Sequence, residues 1–193
     1  TVLEIGPGKG ALTNILAEKV EKLICVELDQ RLIPWLKIDY EKFKNVEIVE
    51  GDILQSQISN LAYRQAGLKS QNYKIVANIP YNITSAILEK FLSAEHKPLL
   101  MVLLVQREVA ERICAIPGEM SFLSVMVQCY GQPKMVARVP AGAFWPKPKV
   151  ESAILKILVY PHCHPFGRLR AGSEQSGAAS KDLLCFEKDF FRL

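Results

Sequence analysis

Apolar and polar residues follow each other along the chain in blocks that predict alternating strands and helices. Short, mainly apolar segments, typical of strands buried on both faces of a sheet, cover residues 2–5, 23–28, 46–49, 74–77 and 99–105. Apolar residues at helical spacing predict helices over residues 11–20, 30–43, 83–92, 108–115 and 122–130. Two more strands are predicted over residues 135–139 and 153–159.

This order of elements predicts an α/β fold with a doubly wound, mostly parallel seven-stranded sheet, covered by helices on both faces. Ligands of such sheets bind beyond the carboxyl ends of the strands. Gly6, Glu27, Asp52 and Asn78 all stand at or just after the end of a predicted strand. Their shared position predicts one ligand site at this edge more strongly than any single motif does.

The chain divides into three predicted regions. Residues 1–160 are predicted to form one α/β domain that carries the ligand site, and residues 161–181, which are rich in His, Gly, Ser and Arg without a period, are predicted to be a flexible insertion or linker. Residues 182–193 regain helical character. Because Thr1 already opens a predicted core strand, we expect the complete protein to have residues upstream of it.

Composition narrows the class of protein without identifying it. A chain with 49% hydrophobic and 23% charged residues is richer in apolar residues than a disordered one, and its longest apolar run, residues 99–105, is far short of the ~20 residues that a membrane span needs. The net charge of +4 is compatible with a polyanionic partner but does not require one.

The cysteines predict a reducing compartment, either the bacterial cytoplasm or an organelle matrix. The five cysteines contain no Cys-x-x-Cys pair, and Cys25, Cys114 and Cys129 stand in apolar segments, where we expect buried free thiols. The group at residues 162–164, His-Cys-His, has no second ligand pair at suitable spacing. No metal site is therefore predicted.

The glycine-rich loop at residues 6–10 predicts a nucleoside cofactor. Glycines after a first strand let the backbone approach a ligand closely, and the helix that follows offers free N–H groups. Glu27, about 20 residues on, is placed to accept hydrogen bonds from ribose hydroxyls. The loop alone fits a nicotinamide dinucleotide as well as a methyl donor, and a plain strand-to-helix turn remains a further alternative.

Asp52 favours S-adenosylmethionine. A carboxylate after the third strand is placed to accept a hydrogen bond from the adenine amine of that cofactor. The alternative is a structural role, because Gly-Asp pairs are common in turns.

Residues 78–81, Asn-Ile-Pro-Tyr, predict a site for the amine of a nucleobase. The Asn78 side-chain oxygen and a backbone carbonyl of Ile79 or Pro80 would accept both hydrogens of the amine, which favours a tetrahedral nitrogen whose lone pair attacks a methyl group. Positioning and electrostatics then supply most of the catalysis, and Tyr81 would stack on the base. The alternative is a turn with a packed tyrosine.

A second candidate for substrate binding is the proline-rich loop at residues 144–150. Prolines stiffen the loop and hold its aromatic residues at low entropic cost, so Phe144 is placed to cover the other face of the base. Lys147 and Lys149 are predicted to contact RNA phosphates. A base must leave its stack to enter such a pocket, which favours single-stranded or loop nucleotides. The alternative is a rigid loop with a solvated basic edge.

In combination, these motifs resemble the ribosomal RNA adenine dimethyltransferases of the kasugamycin-sensitivity type. The resemblance covers roughly residues 1–159 and is carried by residues 3–13, 27–29, 51–52, 78–82, 106–112, 123–125 and 144–153. The family's segment before the first strand is absent here, and its helical C-terminal domain is reduced to a resemblance over residues 186–193. The chain therefore resembles a family member truncated at both ends.

The resemblance implies a class I S-adenosylmethionine-dependent methyltransferase fold, Rossmann-like, that dimethylates two adjacent adenosines near the 3′ end of small-subunit ribosomal RNA. It further implies action on a pre-small-subunit particle during ribosome biogenesis, by a monomer in the cytoplasm. The implied catalytic residues are Asn78, Pro80, Tyr81 and Phe144. The implied cofactor residues are Glu4, Gly6, Gly8, Glu27, Leu28, Asp52, Ile53 and Asn78.

Three alternatives stay open at this level. The erythromycin-resistance methyltransferases share residues 78–81 and the proline-rich loop but act on large-subunit RNA. A ribosome-assembly factor that binds RNA without turnover is a hypothesis of another class. A DNA adenine methylase is the least favoured, because such enzymes usually carry Asp where this chain has Asn78.

Overall fold

The computed structural model describes residues 1–55, 73–145 and 147–161. In these parts of the chain the strands are β1 (Val2–Ile5), β2 (Leu23–Glu27), β3 (Val46–Glu50), β4 (Lys74–Asn78), β5 (Leu100–Gln106), β6 (Gly131–Val139) and β7 (Ser152–Val159). The α-helices are α1 (Ala11–Lys19), α2 (Ile33–Asp39), α3 (Thr84–Leu92), α4 (Arg107–Ile113) and α5 (Phe122–Tyr130). Short 3₁₀ helices span Tyr81–Ile83 and Ala141–Ala143.

The seven strands form one sheet in the order β3-β2-β1-β4-β5-β7-β6. Strands β1 to β5 are parallel, and β7 runs antiparallel to both of its neighbours. The predicted doubly wound, mostly parallel sheet is therefore confirmed. The strand order reverses between β1 and β4, which is the switch point where ligands of such sheets bind.

Helices cover the parallel part of the sheet on both faces because successive strand residues point to opposite sides. Leu3 and Ile5 belong to a core that includes Phe91 of α3. Val2 belongs to a second core that includes Leu16 of α1. This two-sided burial explains why the central strands are mainly apolar rather than regularly alternating.

Three predictions about local structure were wrong. The helix predicted over residues 30–43 is shorter and spans only α2 (Ile33–Asp39). Pro34 lies in its first turn, where a proline ring is tolerated. The strand predicted over residues 135–139 begins already at Gly131; Pro133 is tolerated within it because β6 is an edge strand. Cys129 is exposed and Cys114 only half-buried, while Cys25 is buried as predicted.

The predicted linker after residue 161, the helical segment at residues 182–193 and the His-Cys-His group at residues 162–164 lie outside the described residues. In the described part of the chain, no helix has the length and apolar character needed to cross a membrane.

Candidate functional site

The carboxyl ends of four adjacent strands bring together the residues that the sequence marks. Strands β3, β2, β1 and β4 lie side by side, and backbone hydrogen bonds join their ends: Gly6 N–H donates to the Val26 carbonyl at 2.9 Å, and Gly51 N–H to the Glu27 carbonyl at 2.8 Å. Asp52 directly follows Gly51, and Asn78 is the last residue of β4. One edge of the sheet thus presents a glycine loop, two carboxylates and an amide.

The glycine loop leaves open space directly above its backbone. Gly6 and Gly8 have positive φ angles of 67° and 59°, which favour glycine, and a Cβ at either position would meet no atom within 4 Å. Gly10, at φ 82°, is instead packed against the ring of Tyr40, whose hydroxyl donates to the Gly10 carbonyl at 3.0 Å. Tyr40 thus holds the loop at Gly10, while the space beside Gly6 and Gly8 stays open to a ligand.

The Glu27 carboxylate holds the glycine loop against the end of β2. Its Oε2 accepts from the Gly8 N–H at 3.0 Å, and its Oε1 accepts from the N–H groups of Leu28 at 2.8 Å and Asp29 at 2.9 Å. A carboxylate offers about four lone-pair positions. Three are used by the backbone, so one remains for a ligand hydroxyl in this geometry.

The other predicted cofactor residues lie at the same edge of the sheet, but their side chains differ in how exposed they are to solvent. Leu28 is 65% exposed, whereas Ile53 is buried in the core. Asp52 is half-buried, and its Oδ1 accepts from the Leu54 N–H at 2.9 Å. Within the described residues, the second carboxylate oxygen of Asp52 has no hydrogen-bond partner, and the exposed Leu28 directly follows Glu27.

Lys90 was missed by the sequence analysis. From α3 its Nζ donates to the carbonyls of Leu54 and Gln55, both at 3.0 Å, so it ties the loop after Asp52 to the helix that follows residues 78–81. Burial lowers the pKa of Lys90, and the nearby Asp52 carboxylate opposes that shift. Sequence spacing carries no signal for this contact, since the two partners are more than 30 residues apart.

Glu4 lies beneath the loop, not on its surface. It is 1% exposed and its Oε2 accepts from the Cys25 Sγ at 3.4 Å. Burial raises the pKa of Glu4 from 4.5 to about 7 and also raises the pKa of the Cys25 thiol. Any influence of Glu4 on a cofactor therefore passes through the loop above it.

Glu4→Gln should remove a pH dependence of stability. The folded state holds the Glu4 proton more tightly than the unfolded state does, so this group lowers the free energy of unfolding as the pH rises from 4.5 to about 7, by about 3–4 kcal/mol in all. Urea unfolding at several pH values should show this decline in the parent chain and not in Glu4→Gln. The exposed Glu18→Gln is the matched control, and parallel curves for the parent and Glu4→Gln would contradict the assignment.

The four residues predicted to be catalytic line one open cavity of about 280 Å³. Its walls are Asn78, Ile79, Pro80, Tyr81, Phe144, Trp145 and Pro148. The volume lies at the small end of the roughly 300–1,000 Å³ typical of ligand sites, which suits a single flat ring system. Within the described residues, the Asn78 side-chain amide has no hydrogen-bond partner of its own.

The Tyr81 ring is tethered to the start of β7. Its hydroxyl and the Ser152 Oγ share a hydrogen bond of 2.7 Å, and Ser152 is buried. The residue before it is also anchored: the Glu151 carbonyl accepts from the Arg107 N–H at 3.0 Å, and its carboxylate accepts from the Arg107 guanidinium at 2.7 Å. These bonds join the aromatic wall of the cavity to the end of the proline-rich loop. Sequence reasoning noted Ser152 within a motif but gave it no role.

Tyr81→Phe and Ser152→Ala should each destabilise the fold by roughly 0.5–1.5 kcal/mol, the usual contribution of one hydrogen bond. Because both variants break the same bond, the double variant should cost less than the sum of the two. Urea unfolding of the three variants measures this coupling. Tyr160→Phe, at an exposed tyrosine, is the control. Strictly additive losses from Tyr81→Phe and Ser152→Ala would contradict the tether.

Lys147 and Lys149 are exposed beside the cavity and do not line it. In the parts of the chain that the structure describes, no group of three His, Cys, Asp or Glu side chains is arranged to hold a metal ion.

The comparisons with known proteins agree on one family. A model of the family "Ribosomal RNA adenine dimethylase" matches residues 1–166. The "Ribosomal RNA small subunit methyltransferase A" of Dehalococcoides mccartyi is 45% identical over 161 residues, which are 82% of this chain and 53% of that protein. The chain therefore spans about half the length of the curated relatives it matches.

Two solved structures show the same fold. A dimethyladenosine transferase from Plasmodium falciparum is 32% identical with a TM-score of 0.69, covering 82% of this chain and 55% of that chain. The 23S ribosomal RNA methyltransferase ErmE is 30% identical with a TM-score of 0.68, covering 84% of this chain and 62% of its own.

Proposed function

We propose the following function for this chain, which belongs to the ribosomal RNA adenine dimethylase family: S-adenosylmethionine-dependent dimethylation of the N6 amine of two adjacent adenosines near the 3′ end of small-subunit ribosomal RNA. One observation carries the proposal. Asn78, at the switch point of the sheet, stands between the open space above the glycine loop on β1 and the aromatic cavity of Tyr81 and Phe144. A methyl donor and a base can therefore approach the same amide from two sides.

The residues present fit S-adenosylmethionine. The space above Gly6 and Gly8 accepts a ligand that no Cβ obstructs, the first N–H groups of α1 carry no side-chain cap, and Glu27 keeps one lone-pair position for a ribose hydroxyl. The free oxygen of Asp52 is assigned to the adenine amine, and Leu28 and Ile53 to the adenine ring. Glu4 supports the loop from below. When bound, the cofactor supplies an electrophilic methyl group.

The chain's own contribution to chemistry is to orient the target amine. The Asn78 Oδ1 accepts one amine hydrogen. The Pro80 carbonyl already accepts from the Ile83 N–H at 3.2 Å, so we assign the second hydrogen to the Ile79 carbonyl. Two acceptors favour a tetrahedral nitrogen with its lone pair directed at the methyl group, and after transfer the cationic amine loses its proton to water. Preorganised dipoles of this kind supply most of the rate enhancement.

The aromatic and basic residues bind the RNA. Tyr81, held by Ser152, and Phe144 flank the extruded base, with Pro80 closing the cavity, while Lys147 and Lys149 meet neighbouring phosphates. Bacterial relatives are named for the small subunit, which supports a pre-small-subunit particle as partner. We further propose that the protein acts as a monomer in the cytoplasm.

Labelled methyl transfer tests the proposal. The chain is mixed with S-adenosylmethionine carrying a labelled methyl group and either immature small subunits or large-subunit RNA, and the label is mapped by primer extension. We expect pairs of dimethyladenosine near the 3′ end of the small-subunit RNA and none in large-subunit RNA.

The other outcomes separate the alternatives. Label in large-subunit RNA would favour the 23S ribosomal RNA methyltransferase activity for which ErmE is named, and ErmE shares the fold of this chain. Binding of small subunits with no label, although S-adenosylmethionine binds, would favour an assembly factor without turnover. Absence of donor binding would remove the cofactor assignment itself.

A further inference from the structure

Trp145 is the most exposed large apolar side chain of the cavity wall. It is 97% exposed, directly after Phe144 in the loop that closes the cavity. Exposing almost an entire indole ring to water is unfavourable, and a tryptophan placed in this way commonly marks a binding surface.

The second tryptophan of the chain provides an internal comparison. Trp35, on α2, is 71% exposed but is not part of the cavity wall. Trp145 shares that wall with Tyr81 and Phe144, the two rings assigned to the target base. The position of Trp145, rather than its exposure alone, therefore links it to the substrate.

The space between Tyr81 and Phe144 is assigned to the target base. The base next to it therefore meets the remaining aromatic residue of the cavity wall, Trp145, on the exposed side. Trp145 offers a flat apolar face there, and the exposed Lys147 and Lys149 beside it offer charges for the connecting phosphates. Aromatic faces bind unstacked bases of any sequence in this manner.

The loop that carries Trp145 is held at its far end. Arg107 binds Glu151 through both its backbone N–H and its guanidinium, and Ser152 binds Tyr81. These hydrogen bonds join the loop to the wall of the target-base cavity. They keep Trp145 at a defined distance from that cavity.

We infer that Trp145 is a stacking site for the nucleobase next to the target base in single-stranded RNA. The inference rests on the proposed function only for the class of substrate, which is RNA with an extruded base. It adds a second base subsite, on the rim, to the subsite between Tyr81 and Phe144.

Tryptophan fluorescence tests the inference, since the chain has two tryptophans. Trp35→Phe leaves Trp145 as the single reporter, and Trp145→Phe leaves Trp35 as the matched control. The probe is an RNA hairpin with two adjacent adenosines in its loop, with each loop base in turn replaced by an abasic ribose. We expect the hairpin to quench Trp145 and not Trp35. Quenching should disappear when the base next to the methylated adenosine is missing.

A kinetic variant supplies a second readout. Trp145→Ala should raise the KM for the hairpin about 5–100-fold, as expected for one lost stacking contact, without changing the Kd for S-adenosylmethionine. Trp145→Phe, which keeps an aromatic face, should recover most of that loss.

The outcomes distinguish the inference from the proposed function. Methylation of the hairpin with no change in Trp145 fluorescence, or an unchanged KM for Trp145→Ala, overturns the stacking site and leaves the activity intact. Quenching that survives every abasic substitution also overturns it, because no base would then be responsible. If the chain binds no RNA at all, the substrate class and the stacking site are overturned together.

Discussion

Asn78→Ala should lower the rate of methyl transfer by about 10²–10³-fold, the usual cost of removing one preorganised hydrogen-bonding group from a reacting centre. The side chain ends β4, lines the cavity beside Tyr81 and has no hydrogen-bond partner among the described residues. Its loss therefore breaks no hydrogen bond among the described residues, and we expect the effect to fall on the target amine. Single-turnover kinetics with labelled S-adenosylmethionine and saturating RNA measure the rate of the chemical step directly.

Asn82→Ala is the matched control for that experiment. Asn82 is the same residue type, exposed and four positions further along the chain, and it does not line the cavity. Its rate should stay close to that of the parent chain. The affinity for S-adenosylmethionine should be nearly the same in both variants. A loss of donor binding in Asn78→Ala that matches the loss of rate would contradict the proposed role of Asn78 at the target amine.

Glu27→Gln should weaken the binding of S-adenosylmethionine by roughly 10–100-fold. The glutamine carbonyl can keep the N–H groups of Leu28 and Asp29, but its NH₂ group then faces the Gly8 N–H. Two donors cannot bond, so the loop loses a charge-assisted hydrogen bond worth about 1.5–3 kcal/mol and its preorganised shape. Isothermal titration of the donor gives the Kd, and thermal unfolding reports the accompanying loss of stability.

Glu50→Gln isolates the role of the loop from that of charge. Glu50 ends the neighbouring strand β3, is exposed, and accepts only from the Gln30 side chain, at 2.7 Å, among the bonds that the structure shows. The same change in charge there should leave donor affinity within about twofold, since an exposed hydrogen bond contributes little. Equal affinities for the parent and Glu27→Gln would contradict the assignment of Glu27 to the cofactor edge.

The sheet was predictable because its signal is local. The central parallel strands are buried on both faces and are therefore mainly apolar, as β1 and β5 show. Errors arose where tertiary pairing overrides local signals. Gly131 and Pro133 act as breakers in the sequence, yet they lie in β6, because Gly131 fits against the Leu158 carbonyl where a Cβ could not and Pro133 is on an edge strand.

The candidate site was predictable as a set of residues but not as a set of contacts. The expectation that Gly6, Glu27, Asp52 and Asn78 share one edge follows from the rule that parallel strands end on the same side. The partners of these residues do not follow from any rule of spacing. Glu27 accepts hydrogen bonds from backbone N–H groups, and Lys90 donates to the loop after Asp52. These contacts depend on how turns and helices pack in three dimensions.

By itself, the sequence determined the order of elements, the doubly wound sheet and the residues at its carboxyl edge. These follow from the spacing of hydrophobic residues and the positions of glycines, and both signals are contained within short stretches of the chain. Tertiary structure alone decided that Glu4 is buried and that Trp145 is exposed to solvent. It also decided that Tyr81 is hydrogen-bonded to Ser152, which lies 71 positions further along the chain. Burial and hydrogen bonding between distant segments are properties of the packed chain, since no residue's own neighbours specify them.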